Sequence, residues 1–538
     1  VFLVCFGVLH VFKKITTAID STEYTTETEA DTDIVIDGTD NDADPDKDHK
    51  NGKNGGNGEA GPSGDIEETQ DEIGTKETHI RRETGYKGWN KTIEQVWPAV
   101  PQELPYTPPK IIQATDVHYQ SADAEDDGAA FQLFVERCDG KVVKYLPQLL
   151  DAFMDQVIAE KPSALVLSGD ITMNGEKINH EELARKLGKV QEAGIPVLVI
   201  PGNHDINNPN AAVYFGDEKT AADSVTPEEF YDIYHMYGYD QAISRDSASL
   251  SYVYQLDERN RLLMLDSCQY EPENLVEGRI KAETLVWMDE QLKKAQEDGM
   301  QILPIAHHNL LAQSRMYTTQ CAMDNNGEVI DLLQKYKIPL FLSGHLHVQR
   351  IRKHKAEPGV ADDAYGIQEI VTDAISIPPC QYGILQWKAD GSMEYSTESV
   401  DVSAWARRTG QENTDLLDFE TWSEEYLQKL ISDQIGGVVR NVGSDVKRSM
   451  AETYADVYID YYAGRKIDAK GIRTSEGYTW WERNLPDSYL IKELNAMIND
   501  ADRDNNYLLL PEATILEERY TWKKATASEA TPSKALRQ

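Results

Sequence analysis

Residues 164–170 have the sequence Ala-Leu-Val-Leu-Ser-Gly-Asp, a short apolar run that ends in a glycine and a carboxylate. Such a run is typical of a buried strand, and the glycine permits a tight turn beside the polar side chain. Four other apolar runs end in the same way, at Asp116-Val117-His118, Gly202-Asn203-His204-Asp205, His307-His308 and Gly344-His345-Leu346-His347. Because neighbouring strands of an α/β sheet end at one edge, the pattern predicts that these side chains converge in one crevice.

Helical segments alternate with these strands. Apolar residues recur at helical spacing in 142–158, 181–192, 282–296 and 329–335, and further strands are predicted at 251–255, 261–265, 367–371 and 383–387. Strands that alternate with helices predict sheets covered by helices on their outer faces. After about Val400 the spacing becomes helical throughout, with aromatic or apolar faces in 419–430, 454–462 and 490–498. We therefore predict an α/β domain followed by a small all-α domain.

Five segments are predicted along the chain. They are a truncated signal peptide or membrane anchor at 1–14, a disordered acidic linker at 15–85, the α/β domain at 86–400, the helical domain at 401–525 and a disordered tail at 526–538. The apolar run of residues 1–12 is shorter than the roughly 20 residues that span a bilayer as a helix. It favours an extracellular or cell-surface protein, with an apolar extension of a cytoplasmic protein as the alternative.

The chain is strongly acidic, with a formal net charge of −39 over 538 residues. Such a surface repels nucleic-acid backbones, so nucleic acid is not expected as a partner. The five cysteines are far apart and form no CxxC pair, which argues against a disulfide framework and against a zinc-thiolate site. The sequence does not indicate an oligomeric state.

The candidate ligands at the strand ends are oxygen and imidazole donors. That donor set suits Mn²⁺, Fe²⁺, Zn²⁺ or Co²⁺ and does not choose among them. Two such ions about 3.5–4 Å apart would clamp a phosphate group and share a hydroxide for in-line attack. One carboxylate must then bridge the ions, and Asp170 is the natural candidate. The sequence thus predicts two divalent metal ions in a site for phosphate ester hydrolysis.

The ordered set Asp-x-His, Gly-Asp, Gly-Asn-His-Asp, His and Gly-His-x-His, over roughly residues 110–390, resembles the calcineurin-like metallophosphoesterase superfamily. The resemblance implies a four-layer α/β/β/α sandwich. It implies a first metal held by Asp116, His118, bridging Asp170 and His347, and a second held by Asp170, Asn203, His307 and His345. It also implies that His204 stabilises the transition state or protonates the leaving oxygen, and that Asp205 orients His204 through a hydrogen bond. His307 rather than His308 is expected to ligate, and His308 either supports the site or faces the substrate.

Two departures narrow the branch. Met173 stands where purple acid phosphatases carry a tyrosine, and Ile171-Thr-Met-Asn-Gly-Glu replaces the valine-aspartate-arginine-glycine run of protein serine/threonine phosphatases. Residues 168–176, the run His180-Glu-Glu-Leu and the helical domain resemble the bacterial cyclic-nucleotide phosphodiesterases. This implies hydrolysis of a small-molecule phosphate diester, with 3′,5′-cyclic nucleotides as candidates. The alternatives are a phosphomonoesterase or nucleotidase, a phospholipid-headgroup diesterase, and a surface binding protein with a vestigial metal site.

Four further residues are weaker candidates for the site. Arg315 and Tyr317 either meet the substrate or are ordinary loop residues, and the two interpretations stay open. His235 is predicted to pack in a tyrosine-rich helix, and His180 to lie near a helix end.

We predict that Asn203→Ala abolishes turnover with little loss of stability, because it removes one metal ligand and no core side chain. Steady-state kinetics and thermal unfolding of the purified variant test this. Unchanged activity would contradict the two-metal assignment.

Overall fold

Two mixed β-sheets form the centre of the fold. The structure, a computed structural model, describes residues 106–316, 319–354, 366–438 and 442–510. Its strands are β1 Lys110–Ala114, β2 Ala164–Ser168, β3 Val197–Ile200, β4 Ala212–Phe215, β5 Glu218–Ala221, β6 Ser244–Arg245, β7 Tyr252–Gln255, β8 Asn260–Leu265, β9 Gln301–Ala306, β10 Leu340–Ser343, β11 Arg350–Lys353, β12 Gln368–Val371, β13 Gln381–Trp387, β14 Met393–Ser399 and β15 Tyr507–Leu510.

The strands pair into two large sheets and one hairpin. One sheet has the order β15-β14-β13-β1-β2-β3 and the other the order β11-β12-β10-β9-β8-β7-β6, while β4 and β5 pair separately. Strands β1, β2 and β3 run parallel, and so do β8, β9, β10 and β12. Parallel neighbours end at one edge, so all five polar motifs lie at the carboxyl ends of adjacent strands.

Helices cover the sheets and continue beyond them. They are α1 Ala129–Val135, α2 Leu146–Glu160, α3 Lys177–Glu192, α4 Pro227–Tyr234, α5 Ala282–Glu297, α6 Asn326–Lys335, α7 Val402–Thr409, α8 Thr414–Leu417, α9 Phe419–Val438, α10 Ser444–Tyr462, α11 Ala469–Thr474, α12 Glu476–Asn484 and α13 Tyr489–Asp500. The buried faces of α2 and α3 pack with β1, β2 and β3, whereas those of α5 and α6 pack with β8, β9 and β10. The predicted four-layer α/β sandwich is confirmed.

The strands that carry the site have no exposed face. Every residue of β2, β3 and β10 is buried, as expected for parallel strands covered on both sides. This explains why each motif follows an uninterrupted apolar run rather than an alternating one. The four cysteines among the described residues are buried and form no disulfide with one another; they are Cys138, Cys268, Cys321 and Cys380.

The helical region after Val400 is confirmed, and the structure adds a strand beyond it that was not predicted. Residues 507–510 form β15, which pairs antiparallel with β14 at the edge of the first sheet. β15 is only four residues long, and its run Tyr-Leu-Leu-Leu has no polar residue at alternate positions that would have indicated a strand. The chain therefore returns to the α/β domain after the helices, and the described residues belong to one compact unit.

The predicted anchor, linker and tail lie outside the described residues. The predicted boundaries of the α/β and helical domains stay predictions. Within the described part of the chain, no helix combines the length and the apolar character needed to cross a membrane.

Candidate metal centre

Seven predicted ligands converge at the carboxyl ends of the strands. Asp116 and His118 follow β1, Asp170 follows β2, Asn203 follows β3, His307 follows β9, and His345 and His347 follow β10. All seven are buried. The fold therefore brings together residues that are up to 231 positions apart in the sequence.

The first cluster consists of Asp116, His118, Asp170 and His347. One donor atom of each lies within 4.8 Å of the others. The Nε2 atom of His347 is 3.1 Å from Oδ1 of Asp116 and 3.2 Å from Nε2 of His118. Two imidazole nitrogens and a carboxylate oxygen thus point toward one small volume.

Asp170, a member of the first cluster, also lies next to the second one. Its Oδ1 atom accepts a hydrogen bond from the backbone N–H of His204 at 2.7 Å. Its Oδ2 atom lies 3.8 Å from Nε2 of His118 and 3.3 Å from Nε2 of His307. This is the position that a bridging carboxylate needs, and the bridging role stays a prediction.

The second cluster is built around His307. Its Nε2 atom lies 3.2 Å from Oδ1 of Asn203, and its Nδ1 atom lies 3.0 Å from the carbonyl of Ser168. The His345 ring lies 5.0 Å from the His307 ring, and its Nε2 atom is 2.8 Å from the carbonyl of Gln320. The carbonyls of Ser168 and Gln320 thus fix which ring nitrogen each histidine turns toward the site.

His308 also lies in the second cluster, because a donor atom of His308 is within 4.8 Å of His307 and His345. Its Nδ1 atom is 2.8 Å from the hydroxyl of Ser267, and its Nε2 atom is 3.0 Å from the carbonyl of Val276. Both ring nitrogens therefore contact the loop that follows β8. Because both nitrogens have protein partners, His308 is placed to hold this loop beside the site rather than to bind a metal.

The backbone at the site is held in an unusual conformation. Five candidate ligands have positive φ angles, namely Asp116 at 52°, His118 at 45°, Asp170 at 47°, His345 at 69° and His347 at 56°. This left-handed region costs a non-glycine residue about 1–2 kcal/mol. Strain of this kind persists only where the surrounding structure imposes it, and it clusters at functional sites.

Two glycines allow the motifs to approach one another. A Cβ atom at Gly202 would collide with the backbone nitrogen and side chain of Asp170, and one at Gly169 would lie 2.5 Å from Nδ1 of His307. Gly202 and Gly169 are therefore required for close approach of the strand ends.

The predicted partner of Asp205 is wrong. Its carboxylate accepts hydrogen bonds from the backbone N–H groups of Gly202, Ile171 and Thr172, at 2.8–3.1 Å, and from the Thr172 hydroxyl. Asp205 is fully buried and faces the turns rather than the ring of His204. It fixes the turn after Asp170 against the turn before Asn203, and so sets their spacing.

His204 is instead held by the segment after Asp170. Its Nδ1 atom lies 2.8 Å from the carbonyl of Met173 and 3.2 Å from Oδ1 of Asn174. Its Nε2 atom lies 4.0 Å from Oδ2 of Asp170, and the side chain is 12% exposed. No local pattern in the sequence indicates that Met173 and Asn174 contact His204.

The charges of the site act strongly on one another. Burial would raise the pKa of Asp170, but the neighbouring His307 and His204 hold it well below its usual range. Burial would lower the pKa of His307, but Asp170 raises it to about 9. Burial lowers the pKa of His118 well below its ordinary value, and lowers that of His345 to about 4. The carboxylates therefore favour positive charge beside them.

The residues present fit divalent metal ions. Among the described residues, Oδ1 of Asp116 is a buried acceptor that forms no well-aligned hydrogen bond, although Nε2 of His347 lies 3.1 Å away, whereas Oδ2 accepts from Thr115 and from the backbone of His345. An unpaired buried acceptor is costly unless a cation or donor meets it. Oxygen and imidazole donors suit first-row transition metals. The two clusters, joined at Asp170, can hold one ion each.

The weaker candidates separate clearly. Nε of Arg315 lies 3.2 Å from Oδ1 of Asp500, so the arginine is engaged with the helical domain. His180 is fully buried and bonds Thr172, the carbonyl of Asp205 and Tyr234 behind the site. His235 is partly exposed, lies against the ring of Tyr231 and pairs with Asp240 at 2.7 Å, outside the metal centre. Tyr317 lies outside the described residues.

Comparison with known families agrees with this geometry. Residues 109–349 match the model of the calcineurin-like phosphoesterase family. Residues 401–504 match the model of the C-terminal domain of cyclic nucleotide phosphodiesterase. The α/β domain of this chain therefore matches the calcineurin-like phosphoesterase model, and a region that matches the second model follows it.

Similar proteins include a probable cyclic nucleotide phosphodiesterase of Synechococcus, 26% identical over 35% of this chain and 58% of the relative. Another of that description, from Psychrobacter arcticus, is 25% identical over 46% of this chain and 76% of the relative. Among solved structures, a dimetal phosphatase from Danio rerio is 16% identical, with a TM-score of 0.39. The match covers 55% of this chain and 97% of the phosphatase chain. The chain thus spans little more than half of the first relative's length.

We predict that Mn²⁺ or Zn²⁺ raises the melting temperature of metal-stripped protein, because a ligand that binds only the folded state stabilises it by about 2.7 kcal/mol at a hundredfold excess over Kd. His347→Ala should reduce this rise, since it removes one donor of the first cluster. Differential scanning fluorimetry measures both. The matched control is His235→Ala, which removes an exposed imidazole far from the clusters. An undiminished rise in His347→Ala would exclude His347 as a ligand.

Proposed function

We propose that this protein is a metal-dependent phosphodiesterase that hydrolyses a phosphate diester, with 3′,5′-cyclic nucleotides as the first candidate substrates. The observation that carries the proposal is the convergence of two buried donor clusters on the shared carboxylate Asp170. The family of the α/β domain supports the reaction class, and the printed names of the relatives support the substrate class. The helical domain, which matches the model of a phosphodiesterase domain, supports the diester over the monoester.

The first metal would be held by Asp116, His118, Asp170 and His347, and the second by Asp170, Asn203, His307 and His345. When bound, such ions supply Lewis-acid polarisation of the phosphoryl group and lower the pKa of water. Mn²⁺, Fe²⁺, Zn²⁺ and Co²⁺ are the candidates, since the donor set contains imidazoles and no thiolate. Because the whole chain is acidic, an anionic substrate must be attracted locally by this site rather than by the overall field.

His204 is placed to move a proton at Nε2. Its Nδ1 atom donates to the carbonyl of Met173 in either protonation state, so the exchangeable proton of the ring lies on the other nitrogen. That nitrogen faces Asp170 and is partly open to solvent. We therefore assign His204 the protonation of the leaving oxygen, a role that general acids fill with a contribution of about 10²–10⁴-fold. Asp205 contributes by holding the two turns that carry Asp170 and Asn203.

We also propose a location outside the cytoplasm, with a tether to the membrane or cell surface. The support is the sequence of residues 1–14 and the acidic linker that follows. This part of the proposal is independent of the reaction.

Hydrolysis of bis-p-nitrophenyl phosphate can be compared with that of p-nitrophenyl phosphate, using metal-stripped protein supplied in turn with Mn²⁺, Zn²⁺, Fe²⁺ and Mg²⁺. We expect metal-dependent hydrolysis that favours the diester, and then hydrolysis of 3′,5′-cyclic AMP. Asn203→Ala is the negative control. A preference for the monoester would favour a phosphatase or nucleotidase. A phospholipid-headgroup diester cleaved in place of cyclic nucleotides would change the substrate class. Inactivity with every metal would favour the alternative of a surface binding protein with a vestigial metal site.

The role of His204 can be tested with substrates whose leaving groups differ in acidity. Asn174→Ala should lower kcat about tenfold for a diester with a poorly acidic leaving alcohol, and less than about threefold for a p-nitrophenyl diester, because only the poor leaving group needs a well-placed acid. Asn174→Asp keeps an acceptor for Nδ1 and should retain activity. The control is Asn208→Ala, which loses a 3.1 Å hydrogen bond to the backbone carbonyl of His204 but leaves the ring contacts. Equal losses on both substrates would contradict the role of His204.

A further inference from the structure

Residues 345–350, here called the ligand segment, lie between the metal centre and the helical domain. His345 and His347 face the donor clusters, whereas the intervening Leu346 and the following Val348 are fully buried in a core made mostly of helical-domain side chains. That core includes Tyr454, Tyr458 and Tyr462 of α10, together with Leu494 and Ile498 of α13. The same short segment thus serves the site on one side and the helical core on the other.

Hydrogen bonds fix the segment to the helical domain. The backbone N–H of Gln349 donates to the carbonyl of Tyr462 at 2.9 Å, and its side-chain amide donates to the carbonyl of Asn505 at 2.9 Å. Gln349 is fully buried, so neither bond competes with bulk water. The position of the residue two places after His347 is therefore set by the helical domain.

A buried charge pair follows at once. Arg350 and Asp500 are each 1% exposed at the side chain, and Arg350 donates to the Asp500 backbone carbonyl at 3.0 Å. The second guanidinium nitrogen lies 3.5 Å from the Asp500 carboxylate, and the guanidinium lies over the ring of Tyr461 at 4.5 Å. Removal of one member of a buried pair leaves the other charge uncompensated. Arg350 and Asp500 therefore hold each other, and the strand β11, in one arrangement.

Asp500 also holds the loop on the other side of His345. It accepts from the backbone N–H of Arg315 at 2.8 Å, next to Ser314, whose hydroxyl is 2.6 Å from that of Tyr461. Residue 320 of the same loop provides the carbonyl that contacts Nε2 of His345. One carboxylate at the end of α13 thus contacts two segments that lead to the same candidate ligand.

We propose that Asp500 is a positioning residue for the ligand segment, so that metal binding by His345 and His347 is coupled to the packing of the helical domain. The inference rests on the metal ligands assigned in the proposed function, but not on the substrate. The helical domain is then part of the support of the metal centre, rather than an appended module.

The test is a calorimetric titration of metal-stripped full-length protein with MnCl₂. We expect Asp500→Asn to bind at least one Mn²⁺ about tenfold or more weakly, the loss typical when groups that orient metal ligands are removed. The matched control is Asp502→Asn, which removes the same charge two residues away at an exposed position and should bind like the original protein. Unchanged affinity in a folded Asp500→Asn protein, shown by near-ultraviolet circular dichroism, would overturn the proposal.

A second measurement needs no variant and decides the matter if Asp500→Asn does not fold. Coupling is reciprocal, so Mn²⁺ should slow amide hydrogen exchange in residues 454–462 and 490–500 of the original protein. Protection confined to the α/β domain would overturn the proposal. Coupling without diester hydrolysis would refute the proposed function alone, whereas hydrolysis without coupling would refute this inference alone.

Discussion

The structure depends on the attraction between two buried carboxylates and positive charge. Asp116 and Asp170 are buried and lie 3.1–4.0 Å from the ring nitrogens of four imidazoles, those of His118, His204, His307 and His347. Without compensation such carboxylates would be protonated or the site would open. The shifts in the pKa of His307 and Asp170 show the same demand for a cation. Divalent ions meet it, and the surrounding fold must hold the donors ready for them.

The rest of the α/β domain holds the candidate ligands in place despite the free-energy cost of their backbone conformations. Five ligand residues take left-handed backbone angles that they would not adopt alone. Completely buried parallel strands fix where each turn begins, and glycines let the turns touch. Asp205 then fastens two of the turns through their backbone N–H groups. Rigid sheets thus provide the precision, and small polar contacts adjust the loops.

The helical domain adds support from the opposite side. Leu346 separates two candidate ligands in sequence, yet its side chain lies in the helical core. The final strand β15 joins the first sheet after the helices, so the two domains are connected at two places along the chain. The helical domain matches the model of the C-terminal domain of cyclic nucleotide phosphodiesterase. Its position beside the α/β domain has a physical basis, because the ligand segment packs against it.

The strands that carry the site, the helices that cover them and the turn glycines could be predicted from the sequence, because apolar runs that end in polar residues are local patterns. The assignment of the seven candidate ligands came from the resemblance of the ordered motifs to a known family. The contact of His204 with Asn174, the partners of Asp205 and the anchoring of Arg315 to Asp500 depend on tertiary packing and could not be predicted. Each joins side chains whose geometry depends on how turns and domains pack. Such contacts produce no periodic pattern in the sequence. The identity of an aspartate does not reveal whether its carboxylate is buried or which groups it contacts.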